Sequence, residues 1–343
     1  MIEFDKKQRI YPAFSKGRFY NYPGEKKHHF LLPSLRMMLS CHLKSVSARK
    51  EDIEPWLGFS EIAEKSQELS ITWIGHSTFL IQIGGYNILT DPIFGNLPLF
   101  RRITPPGIAL HTLPPIDFVL ISHNHRDHMD ADTLKELFKR NPSLTFLVPQ
   151  GDAHWFKKRG IRNVKEHMWW DEQSYHSFMP LKLTFLPAFH WSQRGFFDFN
   201  RSLWGSWMIE CHGKRLYFAG DTAYASHFKV IGEAFPLIDI ALMPIGPCEP
   251  RTWMTHAHVS AEEAGQAFID LGAHHFIPMH WGTYYFGLDT FDLPYKRLSA
   301  WWHAQNMHTK KLCVLKIGES LVSLPEESSQ HILQALQSAE SEI

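Results

Sequence analysis

Residues 121–129 read Ile121-Ser-His-Asn-His-Arg-Asp-His-Met129, and this stretch decides how the rest of the chain is interpreted. Apolar residues from Phe118 onward lead into it, which predicts a short buried strand ending just before the first histidine. Four side chains able to bind a metal then follow within six positions: His123, His125, Asp127 and His128. Alternate residues of a strand face one side, so the first two histidines can point together while the other two donors lie on the next turn. Imidazole and carboxylate donors suit Zn²⁺ and related first-row metals, so the stretch predicts a metal site.

The overall composition fits a globular protein without a nucleic-acid partner. The chain has 343 residues, 44% of them hydrophobic, which is enough for one large α/β domain or two smaller ones. Lys and Arg together number 35, as do Asp and Glu, so no overall field favours nucleic acid.

The cysteines and the N-terminus indicate a reducing compartment. Cys41, Cys211, Cys248 and Cys313 form no C-x-x-C pair, which argues against a cysteine zinc site and a disulfide scaffold. The first ten residues do not resemble a signal peptide, and no stretch approaches ~20 uninterrupted apolar residues. We therefore expect a soluble, cytoplasmic protein, with peripheral attachment to the inner membrane surface as an open extension of that expectation.

Three segments are predicted: an N-terminal extension of residues 1–65 that packs on the main domain, the main domain at 66–330, and a C-terminal tail at 331–343. Within the extension, residues 30–39 form an apolar patch that is followed by basic residues. Two interpretations stay open for this patch. It is either a structural element packed on the main domain, or a contact with a membrane surface or an acyl chain.

Hydrophobic patterning and turn residues predict an α/β main domain without internal repeats. Strands are expected at 70–83 (with a pause at 75–77), 86–91, 117–122, 145–148, 181–186, 206–211, 215–219, 237–243, 274–279, 312–317 and 321–324. Helices are expected at 130–139, 152–158, 260–271 and 293–305. Ser260 with Glu263 three residues later is typical of a capping box at a helix start.

Ligand-capable residues follow apolar strands at four places. They are His123, His190, Asp221 and His280. In layered α/β folds the loops at the carboxyl ends of strands converge, so residues distant in sequence can meet there.

The order of these residues resembles the metallo-β-lactamase superfamily and, within it, the N-acyl-phosphatidylethanolamine-hydrolysing phospholipase D group. The resemblance covers about residues 70–287 and rests on specific motifs. They include Trp73-Ile-Gly-His-Ser-Thr78, Leu89-Thr-Asp-Pro-Ile-Phe94, Ser122-His-Asn-His-Arg-Asp-His128, Phe218-Ala-Gly-Asp-Thr222 and His280-Trp-Gly-Thr283. The resemblance implies an αββα sandwich, in which two mixed β-sheets pack face to face with helices outside.

The resemblance also implies a ligand set for two Zn²⁺ ions per chain, with Mn²⁺ or Fe²⁺ as alternatives. Residues matching the ligands of the first metal are His123, His125 and His190. Those matching the second are Asp127, His128 and His280, with Asp221 bridging the two.

The implied activity is that of a dinuclear zinc hydrolase, a phosphodiesterase of phospholipase D type. Two cations about 3.5–4 Å apart can share a hydroxide that attacks phosphorus in line. The expected substrate is N-acyl-phosphatidylethanolamine or a related phospholipid, with Asp127, Asp221 and His258 as catalytic residues. Two alternatives stay open: the same metals could serve a lactonase or other ester hydrolase, and His258 could instead cap the next helix.

The remaining candidates are ambiguous. Asp91 resembles a structural hydrogen-bonding residue, and His76 is more easily explained as structural than as a ligand. Arg101 and Arg102 either meet a phosphate or are solvated. The aromatic run at 196–199, with residues 203, 204 and 207, is either core or the lining of an acyl pocket. The oligomeric state stays open, a homodimer included.

Overall fold

The computed structural model describes residues 9–22 and 49–322. Two mixed sheets of seven strands each account for most of the β structure, and a separate two-stranded sheet is formed by β1 and β2. The strands are β1 Ala13–Ser15, β2 Arg18–Tyr20, β3 Ser70–Gly75, β4 Thr78–Ile83, β5 Tyr86–Thr90, β6 Phe118–Leu120, β7 Thr145–Pro149, β8 Val164–His167, β9 Glu172–Tyr175, β10 Leu181–Leu186, β11 Ser206–Cys211, β12 Lys214–Phe218, β13 Ile240–Pro244, β14 His275–Met279, β15 Lys311–Leu312 and β16 Ser320–Val322.

The two large sheets are built in the same way. The first has the order β16-β3-β4-β5-β6-β7-β8 and the second β15-β14-β13-β12-β11-β10-β9. In the first, the pairs from β16 to β5 are antiparallel and those from β5 to β8 parallel. In the second, the pairs from β9 to β12 are antiparallel and those from β12 to β15 parallel.

Helices cover the outer faces of both sheets. They are α1 Lys50–Ile53, α2 Ala131–Arg140, α3 Ala153–Lys157, α4 His227–Ala234, α5 Arg251–Met254, α6 Ala261–Leu271 and α7 Leu293–Ala304, with 3₁₀ turns at Glu54–Trp56 and Leu110–Thr112. The predicted capping box of α6 is confirmed, since the Ser260 side chain accepts from the Glu263 backbone and the Glu263 side chain from the Ser260 backbone. The N-cap of α2 is Asp130, whose side chain accepts from Thr133.

Alternate side chains of one strand enter different cores. Phe79 and Ile81 of β4 join a cluster that also contains Phe185 and Trp207 of the second sheet, whereas Leu80 joins a cluster on the opposite face with Leu134 of α2. Period-two alternation therefore buries both faces of the first sheet. The αββα arrangement expected from the resemblance is confirmed.

The sequence prediction missed β1, β2, β8, β9, α1, α4 and α5, and one predicted strand was too long. Val164–His167 and Glu172–Tyr175 are edge strands whose polar side chains hide the alternation, and the helix His227–Ala234 was not expected. The strand predicted at 312–317 is wrong beyond Leu312. There the chain leaves the ladder, and Ile317 instead donates to the backbone of Trp56.

Residues 9–22 lie against the main domain, where Phe19 donates to the backbone of Asn200 over 2.8 Å. The apolar patch at 30–39 and the tail at 331–343 lie outside the described residues, so the division into three segments stays a prediction. In the part of the chain that the structure describes, none of the helices combines the length and the apolar character that a bilayer crossing requires.

Candidate metal centre

Strand ends from both large sheets deliver the predicted ligands to one place. His123 to His128 follow β6 of the first sheet. The other three follow strands of the second sheet: His190 after β10, Asp221 after β12 and His280 after β14. His280 has a positive φ of 63°, a conformation that is uncommon for a non-glycine residue and clusters at functional sites. The structure therefore brings all seven predicted ligands together.

One set of donors consists of three imidazoles. His125 Nδ1 lies 2.8 Å from His123 Nε2 and 3.2 Å from His190 Nε2. All three rings are buried or half-buried, and their donor atoms lie within 4.8 Å of one another. This is the set that the resemblance assigns to the first metal.

The second set combines carboxylates and imidazoles. His128 Nε2 lies 3.3 Å from Asp127 Oδ2 and 3.2 Å from Asp221 Oδ2. His280 Nε2 lies 3.8 Å from Asp127 Oδ2 and 3.0 Å from Asp221 Oδ1. Asp221 Oδ2 is also 4.0 Å from the Nε2 atoms of both His123 and His190. Asp221 is therefore the carboxylate that reaches both sets.

Outer hydrogen bonds fix the orientation of the rings. His128 Nδ1 donates to Asp91 Oδ2 over 2.7 Å, His123 Nδ1 lies 2.9 Å from Ser122 Oγ, and His190 Nδ1 donates to the Ala257 carbonyl over 2.9 Å. Asp91 also accepts from the Ser122 hydroxyl and backbone N–H. With the Nδ1 atoms so engaged, the Nε2 lone pairs face the centre, as a metal ligand requires.

Burial and mutual charge prepare these groups for a cation. Burial lowers the pKa of His123 well below its usual value, that of His125 to about 4 and that of His190 to about 3, which leaves neutral imidazoles at pH 7. Burial would raise the pKa of Asp221, but the neighbouring His128 and His280 hold it well below its usual range. The first donor set thus offers neutral nitrogens beside an ionised carboxylate. In the second set burial would lower the pKa of His128, but Asp221 and Asp127 hold it well above its usual value.

The donor set fits zinc. Ligands at 2.0–2.1 Å around a tetrahedral ion lie about 3.3 Å apart, which is close to the separations within both sets. His128 Nε2, His280 Nε2 and Asp221 Oδ1 are buried and lie within 3.3 Å of other donor atoms of the centre, yet they form no well-aligned hydrogen bond among the described residues. Buried polar atoms are normally paired, so these atoms call for a bound cation.

His258 and His76 also face the centre. His258 Nδ1 lies 3.7 Å from Asp221 Oδ2 and has no hydrogen-bond partner within the described ranges. The helix cap is Ser260, so the alternative of His258 as a cap is wrong.

His76, favoured as structural from the sequence, lies with its Nε2 3.1 Å from Asp127 Oδ2. Only its position directly after an apolar strand could have indicated this contact.

The two arginines and the aromatic run that the sequence left ambiguous have different positions in the structure. Arg102 is occupied structurally, since its guanidinium donates to the carbonyls of Ile74, Ile93 and Thr104, while Arg101 is exposed. The aromatic run does not form one pocket, because its first two rings are exposed whereas three neighbouring side chains belong to the core. The exposed pair is Phe196 and Phe197, and the buried residues are Leu203, Trp204 and Trp207.

Sequence comparison places the chain in a family. A model described as a β-lactamase superfamily domain matches residues 86–281. N-acyl-phosphatidylethanolamine-hydrolyzing phospholipase D 1 of Caenorhabditis elegans is 36% identical over 238 residues, which span 66% of this chain and 67% of that protein. The mitochondrial N-acyl-phosphatidylethanolamine-hydrolyzing phospholipase D of Saccharomyces cerevisiae is 32% identical over 66% of this chain and half of its own length.

Solved structures agree on the fold. Igni18, a metallo hydrolase from Ignicoccus hospitalis, superposes with a TM-score of 0.59 at 23% identity, covering 75% of this chain and 99% of its own. This chain belongs to the metallo-β-lactamase superfamily, as its motifs indicated, and is a metal-dependent hydrolase. Its resemblance to the N-acyl-phosphatidylethanolamine-hydrolysing phospholipase D group is confirmed as well.

Proposed function

We propose that the chain is a dinuclear zinc phosphodiesterase of phospholipase D type, acting on N-acyl-phosphatidylethanolamine or a related phospholipid. The supporting observation is that the Asp221 carboxylate lies within 4.0 Å of nitrogen atoms from both donor sets. The substrate class is supported by the worm and yeast relatives, whose names state hydrolysis of that lipid.

Each donor set has a distinct task in this proposal. When bound, two zinc ions would supply a water of lowered pKa as nucleophile and stabilise negative charge on the phosphoryl oxygens. Asp221 would offset part of the repulsion between the two cations, because its two oxygens face donors of both sets. Asp127 is oriented by the ring of His76, so its ligating oxygen stays directed into the centre.

We assign His258 to the substrate rather than to a metal. Its half-buried ring stands beside both donor sets, with centroids 5.4 Å from His190 and 5.5 Å from His280. From there it can donate a hydrogen bond to an oxygen of the scissile phosphodiester. A His258→Gln variant should therefore keep its zinc and lose activity, by about 10²-fold if the contact is made in the transition state.

The first experiment measures metal content and hydrolysis of bis(p-nitrophenyl) phosphate together. Wild type should carry about two zinc ions per chain and turn over the diester, whereas Asp221→Ala should lose both. Asp270→Ala is the matched control, since Asp270 lies on α6 and its carboxylate accepts from Tyr224 and Gln266 and from none of the donor atoms of the centre.

The outcomes separate the parts of the proposal. Zinc with diester hydrolysis justifies an assay on N-acyl-phosphatidylethanolamine, in which phosphatidic acid and an N-acylethanolamine should appear. Two zinc ions without phosphodiester turnover would instead favour the alternative of a lactonase or other ester hydrolase. Absence of transition metal under metal-replete conditions would overturn the metal centre itself.

A further inference from the structure

The loop after His190 ends in two neighbouring phenylalanines that the described chain leaves uncovered. Phe196 is 95% exposed and Phe197 is 85% exposed. Single exposed apolar residues are ordinary, but two adjacent rings form a contiguous apolar tip. We call Phe196 and Phe197 the aromatic tip.

The aromatic tip projects from a closed turn. The Asp198 carboxylate accepts from the backbone N–H of Gly195 over 2.8 Å and from that of Arg194 over 3.2 Å. The Arg201 N–H donates back to the Asp198 carbonyl over 3.0 Å. These bonds close the turn on both sides of Asp198, so the two rings project from a hydrogen-bonded turn.

The same loop is bonded to the stretch that carries the metal ligands. Arg194 Nη1 donates to the carbonyls of Asn124 and Met129 over 2.9 and 2.7 Å. Arg126, which lies between two predicted ligands, donates to the Arg194 carbonyl over 3.1 Å. A surface that engages the tip is thereby held next to the metal centre.

Positive charge surrounds the base of the loop. The guanidinium of Arg159 lies 3.8 Å from the ring centroid of Trp155, and that of Arg194 lies 4.5 Å from it. Burial lowers the pKa of Arg159, and the neighbouring charge of Arg126 lowers it further. Asp152 and Asp130 act electrostatically on the mostly buried Arg194. No carboxylate in the described ranges 9–22 and 49–322 forms an ion pair with the exposed Arg126 or Arg159. This cluster therefore complements an anionic partner.

We propose that Phe196 and Phe197 insert into the interface of an anionic phospholipid bilayer while Arg126 and Arg159 contact lipid phosphates beside them. Apolar side chains flanked by basic residues bind such surfaces through apolar burial and attraction to anionic headgroups together. This inference rests on the proposed function, because it states how a lipid-hydrolysing centre meets a substrate that resides in a membrane.

The test is co-sedimentation with extruded vesicles of phosphatidylcholine containing about one third phosphatidylglycerol, without any turnover measurement. Wild type should partition to these vesicles at least tenfold more strongly than Phe196→Ser/Phe197→Ser, and more strongly than to pure phosphatidylcholine. Zinc content and melting temperature of each variant show that the fold is retained.

The matched control is Phe59→Ser/Phe178→Ser, which also removes two exposed phenyl rings. Phe59 is 82% exposed, and Phe178 is 54% exposed beside the β4–β5 turn at the end of β4 away from His76. The control should bind vesicles as wild type does.

Equal vesicle binding by the tip variant and wild type would overturn the proposal, as would failure of wild type to bind anionic vesicles. A tip substitution that converts a dimer to a monomer in sedimentation velocity, with vesicle binding unchanged, would make the tip a protein interface. Because binding is measured without hydrolysis, failure here and failure of the proposed activity are separate results.

Discussion

Asn21 holds His190 through both of its backbone groups. Asn21 Nδ2 donates to the His190 carbonyl over 3.1 Å, and its Oδ1 accepts from the His190 N–H at 3.3 Å. The same Oδ1 accepts from the Trp204 indole over 3.0 Å, which anchors the amide in the core. The segment at 9–22 thus positions a predicted metal ligand that lies 169 residues later in the chain.

Asn21→Ala should therefore weaken zinc binding. Without the amide, the backbone of His190 loses two restraints, and loss of outer contacts to a ligand typically costs about 10–100-fold in metal affinity. Competition with a chromophoric chelator measures the effect. Asn141→Ala is the control, since that amide donates to Ile116 away from the centre. Equal affinities for the two variants would refute the positioning role.

Asp91→Asn should also reduce zinc affinity, by about 10–100-fold. Asp91 Oδ2 accepts from both His128 Nδ1 and the Ser122 hydroxyl, and an amide cannot replace the charge that orients the imidazole. Asn tolerates the positive φ of 31° at this position, so backbone strain does not explain a loss. The same chelator competition decides the matter, and unchanged affinity would make Asp91 dispensable for ring orientation.

The principal ligands could be predicted because their signal is local. His123 and His125 alternate directly after an apolar strand, and one short stretch contains both the strand and its donors. His76 also follows an apolar strand directly, but no second ligand-capable residue stands beside it. Its contact to Asp127, like that of Asn21 to His190, joins parts of the chain that only the fold brings together. Their roles follow from tertiary structure alone.

The sequence also did not show which aromatic residues are buried and which are exposed. Phe196 and Trp207 belong to one aromatic-rich stretch, yet the first is exposed and the second lies in the core. Phe196 lies in a surface turn that the Asp198 carboxylate closes by accepting from the Gly195 N–H, whereas Trp207 lies on the buried strand β11. Composition records how many rings there are, whereas the hydrogen bonds of a single turn decide where they point.

Gly220→Ala should destabilise the protein far more than Gly213→Ala. Both glycines have positive φ, 59° and 70°, so each alanine costs about 1–2 kcal/mol of backbone strain. A Cβ at 220 would also lie 2.4 Å from Ser122 Cβ, whereas one at 213 meets nothing within 4 Å. That overlap should add about 1–3 kcal/mol to the loss in free energy of unfolding. Urea unfolding compares the two variants, and equal losses would show that the close approach is not required.

The buried carboxyl of Asp152 should make stability depend on pH. Its Oδ1 accepts from Asn124 over 3.0 Å, and burial raises its pKa to about 7. Between its usual pKa of about 3.9 and this value, the folded chain holds a proton that the unfolded chain has released. Unfolding then releases a proton, so the free energy of unfolding falls as pH rises through this window and levels off above it.

In Asp152→Asn the side-chain oxygen can still accept the hydrogen bond from the Asn124 amide. Because this side chain is neutral at every pH, the variant should lack this slope. At about 1.4 kcal/mol per pKa unit, wild type should lose up to about 4 kcal/mol relative to the variant between pH 4 and 7. Urea unfolding at each pH from 4 to 8 measures the difference, and Asp270→Asn on the surface of α6 corrects for the general loss of one carboxylate. A difference between Asp152→Asn and wild type that stays constant across this range would show that the Asp152 carboxyl is ionised in the folded protein.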